Sequence, residues 1–270
     1  MASSIMSLWG EPQSSKAAEK AIAAGLISRP QKPSLEAALK TGTAKSVIQL
    51  SPTKPSSVES GTVTLIAEVI DDSESIAYHK LEKEIIDGEN NFLDELSKLA
   101  REHGKEILLM RRLLNGGLIH GFQRVEECKP LGLADLTCSG MTPWYGAMGD
   151  CLAASINFGK ELCLQNRQVQ LLIGTVTDGE ATDQPDQATL SLFNDPMLRG
   201  TTPSGRKIFS AVGISPFASA RATFERLGLE TYASGSIKDS ILAMSKILVS
   251  KSKTFGQEVA NRPVGGEFVE

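Results

Sequence analysis

Apolar and polar positions alternate along this chain in blocks that read as strands and helices in turn. Residues 63–70 form a β-rich apolar run that stops at Asp71, as a buried strand does. Its one polar member, Glu68, is awkward for a central strand. In residues 76–101, Leu81, Ile85, Phe92, Leu96 and Leu99 recur at spacings of 3, 4 and 7. That spacing predicts one apolar helix face, weakened in the middle by Gly88. Residues 105–114 and 117–125 read as two strands joined by Asn115-Gly116, a type I′ hairpin signal. Residues 144–164 carry Met148, Leu152, Ile156 and Leu162 with small residues between them, a second long helix. Residues 168–177 predict a buried strand that ends at Asp178-Gly179, broken by Gly174-Thr175. A helix over 186–193, a Gly/Pro/Thr-rich loop, a strand over 207–212, a helix over 217–227, a short strand over 230–233 and a last helix over 236–249 complete the order. Strands alternating with helices predict an α/β fold: a doubly wound, mostly parallel central sheet with an antiparallel edge hairpin and helices on both faces. In such sheets ligands bind beyond the carboxyl ends of the strands.

Composition divides the chain at nearly the place where this pattern starts. Residues 1–60 hold 7 Lys/Arg against 4 Asp/Glu, with 12 Ser and 5 of the 12 Pro. Residues 61–270 hold 21 against 28, a net of −7. A basic Ser/Pro/Ala-rich extension over 1–60, partly disordered or used for docking, is therefore expected before a domain over 61–250. A loose tail is expected over 251–270. A whole-chain charge of −4 disfavours a nucleic-acid binder that works by phosphate neutralisation. No apolar run is long enough to span a membrane, and residues 1–10 do not read as a signal peptide. Cys128, Cys138, Cys151 and Cys163 form no CxxC pair, and the three histidines are scattered, so zinc is not expected. Free thiols without glycosylation sequons fit a reducing cytoplasmic setting. Cys151 and Cys163 lie in the apolar helical pattern and are expected to be buried.

Candidate chemistry sits after the strands. Asp71-Asp72-Ser73-Glu74-Ser75 follows the first strand and fits D-x-S-x-S. Thr142 precedes the second long helix, and Asp178 follows the core strand within Thr177-Asp178-Gly179. Asp71, Ser73, Ser75, Thr142 and Asp178 make an oxygen-only set of the kind hard Mg²⁺ prefers. Taken singly, each is also a common turn or helix-capping residue. A haloacid-dehalogenase type of phosphatase would need a second Asp where Ser73 stands. No phosphate-binding glycine loop, zinc-protease helix or nucleophile elbow is present, and an enzyme is not expected.

The ordered set over residues 62–249 resembles the von Willebrand factor A (VWA) domain with its metal-ion-dependent adhesion site. That resemblance implies a Rossmann-like fold and a Mg²⁺ (or Mn²⁺ or Ca²⁺) ion. It implies direct hydroxyl ligation by Ser73 and Ser75, and Thr142 bound directly or through water. Asp71 and Asp178 would hold ordered waters and balance charge. An open coordination position would take an Asp or Glu side chain of a protein partner. Stand-alone intracellular relatives in bacteria and phages often act beside an AAA+ ATPase or in stress and conflict systems. The alternative is a structural or assembly protein, of a phage or other particle, docking through its N-terminal segment. The family has Gly where this chain has Glu74, which either ligates the open position itself or points to solvent. Asp72 reads as a plain turn residue.

Overall fold

A computed structural model of the protein describes residues 61–165, 167–195 and 209–260. The expected N-terminal extension and the last ten residues lie outside them. Six strands form one sheet in the order β3-β2-β1-β4-β5-β6. They are β1 (Thr62–Ile70), β2 (Glu106–Leu113), β3 (Leu118–Arg124), β4 (Gln168–Val176), β5 (Phe209–Ser215) and β6 (Glu230–Ala233). All neighbours pair in parallel except β2 and β3. The expected doubly wound sheet with one antiparallel edge is therefore the observed fold. Helices α1 (Glu74–Tyr78), α2 (Glu82–His103), α3 (Trp144–Leu164), α4 (Gln187–Phe193), α5 (Ala218–Arg226) and α6 (Ile237–Ala260) connect or follow the strands.

The two sheet faces carry separate cores. One collects Val63, Leu65 and Leu171 with Trp144, Met148 and Leu152 of α3 and Phe224 of α5. The other collects Ile66, Leu109 and Leu172 with Phe92 and Leu96 of α2 and Ile241, Met244 and Leu248 of α6. Cys151 and Cys163 are buried in the first, as their pattern predicts. Both odd glycines are packing devices. A Cβ on Gly88 would stand 2.9 Å from Ile241 of α6, and one on Gly174 would stand 2.6 Å from the Met244 sulfur. Side chains there would push α6 away from α2 and β4. The Thr175 hydroxyl accepts the Trp144 indole N–H at 3.1 Å, which explains a polar residue in the core strand.

Several sequence expectations change. The helix expected over 76–101 is two helices. Lys80 adopts φ +57°, the one non-glycine residue with positive φ among those described, and ends α1 there. The Asn115-Gly116 turn is not type I′, because only Gly117, at φ +80°, has positive φ in that loop. Instead the Leu113 N–H reaches the Gly117 carbonyl at 2.8 Å. The last helix does not stop at 249. It runs to Ala260, so the boundary expected at 250 falls inside it. Lys105, beside the amino end of β2, donates its ammonium to the Ser252 carbonyl at 2.6 Å and to that of Lys253. Burial lowers this ammonium's pKa to about 8.

Glu68 is fully buried in central β1 after all. Its register partner on β2 is Arg111, whose Nε donates to Glu68 Oε2 at 3.0 Å. The Arg111 guanidinium also donates to the Glu89 main-chain carbonyl at 2.7 Å and approaches the Glu89 carboxyl at 3.6 Å. Two acids thus share one base between sheet and α2. Burial, and then the neighbouring Glu68, push the Glu89 carboxyl well above the usual carboxylate range. Burial raises the Glu68 carboxyl too, against the attraction of Arg111, so the acid pair favours a proton beside the guanidinium.

The folded chain binds that proton more tightly than the unfolded chain does. Its contribution to stability is complete below about pH 4.5, the ordinary Glu value. It declines as pH rises from there toward the raised folded value. Urea unfolding across pH is expected to show this decline, and Glu89→Gln is expected to reduce it, the raised carboxyls of Glu68 and Asp71 keeping the rest. Arg111→Met leaves the acids without their cation and is expected to cost about 3–5 kcal/mol.

Candidate metal centre

At the carboxyl end of β1 the chain turns while still inside the protein. Asp71, Asp72 and Ser73 are at most 2% exposed, so each polar group needs a partner within the fold. Asp71 accepts the Ser73 N–H at 2.8 Å on one oxygen and the Thr177 hydroxyl on the other. The Ser73 and Ser75 hydroxyls lie 3.0 Å apart, and Ser75 donates to Asp178 at 2.8 Å. Ser73 stands at the start of α1, yet its side chain makes no capping bond there. Its hydroxyl is turned to Ser75 rather than spent on the helix.

Thr142 reaches the same place from the loop before α3. Its N–H goes to the Thr182 hydroxyl at 3.0 Å, and the Thr182 N–H returns to the Thr142 carbonyl at 2.9 Å. Asp183 accepts the Tyr145 and Gly146 N–H groups at 3.1 and 2.8 Å, fixing the first turn of α3 to the same loop. The Thr142 hydroxyl lies 3.6 Å from the position a Cβ on Gly179 would take, so it borders the Asp178-Gly179 turn. In the cup at this end of the sheet, Ser73, Ser75 and Asp178 are joined directly, Asp71 is joined through the Ser73 N–H, and Thr142 borders Gly179.

Four supporting residues carried no role in the sequence reading. Thr177 binds Asp71, and its hydroxyl also accepts the Gly179 N–H at 3.1 Å. Thr182 and Asp183 fix the Thr142 loop. Asp72, read as a plain turn residue, is a hub. Its carboxylate accepts the Asn115 and Gly116 N–H groups at 2.7 and 2.8 Å, and its carbonyl accepts the Ser139 N–H at 2.9 Å. The Asn115 amide then donates to the Met141 carbonyl at 2.8 Å. Asn115-Gly116 was recognisable as a turn, but not as the partner of an aspartate more than forty residues earlier. Glu74, the departure from the family pattern, is exposed, while its N–H is held by the Gly140 carbonyl at 3.1 Å.

Burial is the main force raising the Asp71 carboxyl above its ordinary value. Hydrogen bonds from Ser73 and Thr177 oppose it, and the Asp178 charge adds to it. The Asp178 charge is felt at Asp71, so a cation beside the two carboxylates would relieve their repulsion. Mg²⁺ holds oxygens at about 2.0–2.1 Å in an octahedron, which sets neighbouring ligands about 3 Å apart. The Ser73 and Ser75 hydroxyls, 3.0 Å apart and hydrogen-bonded to one another, are close enough to serve as neighbouring ligands. Among the described residues no group of three or more His, Cys, Asp and Glu side chains is arranged around a metal position. This cup has two carboxylates and relies on hydroxyls. Burial, and then Glu82, push the nearby Cys138 thiol up to about 12, so it offers no thiolate at neutral pH.

No protein-family model matches the chain, and neither does any curated protein. Solved structures overlap with it loosely. Proximal thread matrix protein 1 from the mussel byssus is 16% identical with a TM-score of 0.41, over 71% of this chain and 46% of that one. The TFIIH p34 N-terminal domain is 12% identical with a TM-score of 0.47, over 69% of this chain and 98% of that one. The SpRpn10 VWA domain is 12% identical with a TM-score of 0.36, over 67% of this chain and 93% of that one. This chain thus spans about half of the mussel protein. Overlaps this loose assign no function.

The Asp72 hub yields a direct expectation. Asp72→Ala strands two main-chain N–H groups and is expected to cost about 1–3 kcal/mol in urea unfolding. Asp72→Asn keeps one strong acceptor and is expected to recover part of that loss.

Proposed function

We propose that this chain is a VWA-type interaction module whose cup holds a divalent cation and uses it to take a carboxylate from a protein partner. The observation that carries the reading is the Ser73–Ser75–Asp178 chain of oxygens, with Asp71 and Thr142 beside it, at the carboxyl end of a doubly wound sheet. Ligands of such sheets bind at that end. Ser73 and Ser75 are the direct hydroxyl ligands in this reading. Thr142 ligates directly or through water, and Asp71 and Asp178 hold waters and offset the charge. An all-oxygen set with two carboxylates suits a hard divalent cation, Mg²⁺ first, with Mn²⁺ or Ca²⁺ as the alternatives.

The cation supplies a concentrated positive charge with a position open to a partner's carboxylate. The chain's residues do the rest. Hydroxyls add no negative charge, so among the five site residues only Asp71 and Asp178 offset the charge of the ion. The Thr182, Asp183 and Asp72 bonds hold the loops in place before a partner arrives, which lowers the ordering cost of binding. Because Glu74 is exposed, this reading leaves the open position to the partner.

Titration calorimetry of the full chain with Mg²⁺ and with Mn²⁺ is expected to show saturable uptake. Asp71→Ala and Ser73→Ala are each expected to weaken it tenfold or more. At about 100 times its dissociation constant, the ion is expected to stabilise the fold by about 2.7 kcal/mol, a gain that chelator removes. Absence of uptake, or an Asp71→Ala protein that binds metal like the parent, would sink the reading.

A further inference from the structure

The loop after β4 and one face of α5 enclose a cavity of about 270 Å³. From α5 come Ser219, Ala222, Thr223 and Arg226, at the spacing of a single helix face. Glu180 and Asp183 come from the loop, and Tyr145 comes from the first turn of α3. Thr182, between the two acids, bonds toward the cup instead, where its hydroxyl takes the Thr142 N–H at 3.0 Å. The loop therefore has the cup on one side and the cavity on the other. None of the five cup residues lines the cavity.

One buried group in this wall lacks a partner. Tyr145 is 2% exposed, and its hydroxyl makes no hydrogen bond among the described residues. Its ring packs edge to face on Trp144, with centroids 5.3 Å apart. A buried hydroxyl left unpaired costs free energy, which a phenylalanine in the same place would avoid. The charges of the wall are also divided. Asp183 spends its carboxylate on the Tyr145 and Gly146 N–H groups. Glu180 on the loop and Arg226 on α5 are exposed, and neither joins an ion pair among the described residues. The other charges of α5, Arg221 and Glu225, lie outside the wall.

We propose that this cavity binds a small zwitterion, a free α-amino acid, with its carboxylate on Arg226 and the Tyr145 hydroxyl and its ammonium on Glu180. A guanidinium meets a carboxylate with two parallel donors, and a phenol adds a third. The two loop acids disfavour a simple anion, and Arg226 disfavours a simple cation. A molecule that carries both charges satisfies both walls. The size agrees, since about 270 Å³ lies just below the roughly 300–1,000 Å³ of sites for larger ligands. The short side chains of Ser219, Ala222 and Thr223 leave that space open along α5. The site needs no cation in the cup and stands apart from the metal reading.

The test is titration calorimetry of the full chain with each of the common free amino acids. Chelator is present throughout, so no cation in the cup can take their carboxylates. Saturable binding of at least one amino acid is expected. Its N-acetyl and amide derivatives, which each lack one charge, are expected to bind at least about tenfold more weakly, the loss that a hydrogen bond to a charged group corresponds to. Arg226→Ala, Glu180→Gln and Tyr145→Phe are each expected to lose about as much. Because Tyr145→Phe removes a hydroxyl without a partner in the protein, its midpoint in urea is expected to equal or exceed the parent's. A lower midpoint would give that hydroxyl a structural task and overturn the proposal. So would the absence of saturable binding by any amino acid, full binding by either blocked derivative, or binding unchanged in Arg226→Ala. Metal uptake measured separately without chelator is expected to be the same in all three variants, which keeps failure here distinct from failure of the cup.

Discussion

The carboxyl end of β1 has to be polar and dry at once. The strand lies between β2 and β4, and its last residues enter a turn that water hardly reaches. Every donor and acceptor there must find a partner in the protein. The solution determines the rest of that end of the molecule. Asp72 draws in the β2–β3 loop and the segment before α3, Asp71 draws in the end of β4, and Thr182 closes the Thr142 loop onto the same ring. Three other parts of the chain, the β2–β3 loop, the segment before α3 and the end of β4, are positioned by one short polar run. The cup is what remains between them.

The opposite problem arises deeper in the same strand. Glu68 is a charge in the centre of a sheet, and it is retained with Arg111 and Glu89 rather than replaced by apolar residues. Buried ion clusters are seldom the most stable choice for a core, but they resist alternative pairings. Here the Glu68–Arg111 bond joins register partners on β1 and β2. A slip of one residue would face the guanidinium away from its acid.

The doubly wound order was legible because long apolar runs and amphipathic spacings are local. The five oxygen-bearing residues were legible because each follows or precedes a recognisable element. The missing parts depend on contacts distant in sequence. Gly88 and Gly174 look like weak points until Ile241 and Met244 are seen against them. Glu68 looks misplaced until Arg111 faces it. Asp72 looks like a turn because its partners, Asn115 and Gly116, lie on another strand pair. Lys80 interrupts a helical pattern that its side chain alone would have continued, since only the backbone angle marks the break.

The ammonium of Lys105 has a consequence for how this domain is delimited. Apolar periodicity fades near residue 249, and a designer trimming the chain by pattern would cut there. The carbonyls that hold this half-buried cation belong to Ser252 and Lys253. Shortening the last helix to 250 would leave the amino end of β2 beside a cation without its acceptors, at the end of the sheet farthest from the cup. The last helix is thus tied to the amino end of β2 by hydrogen bonds that lie beyond the point where its hydrophobic pattern ends.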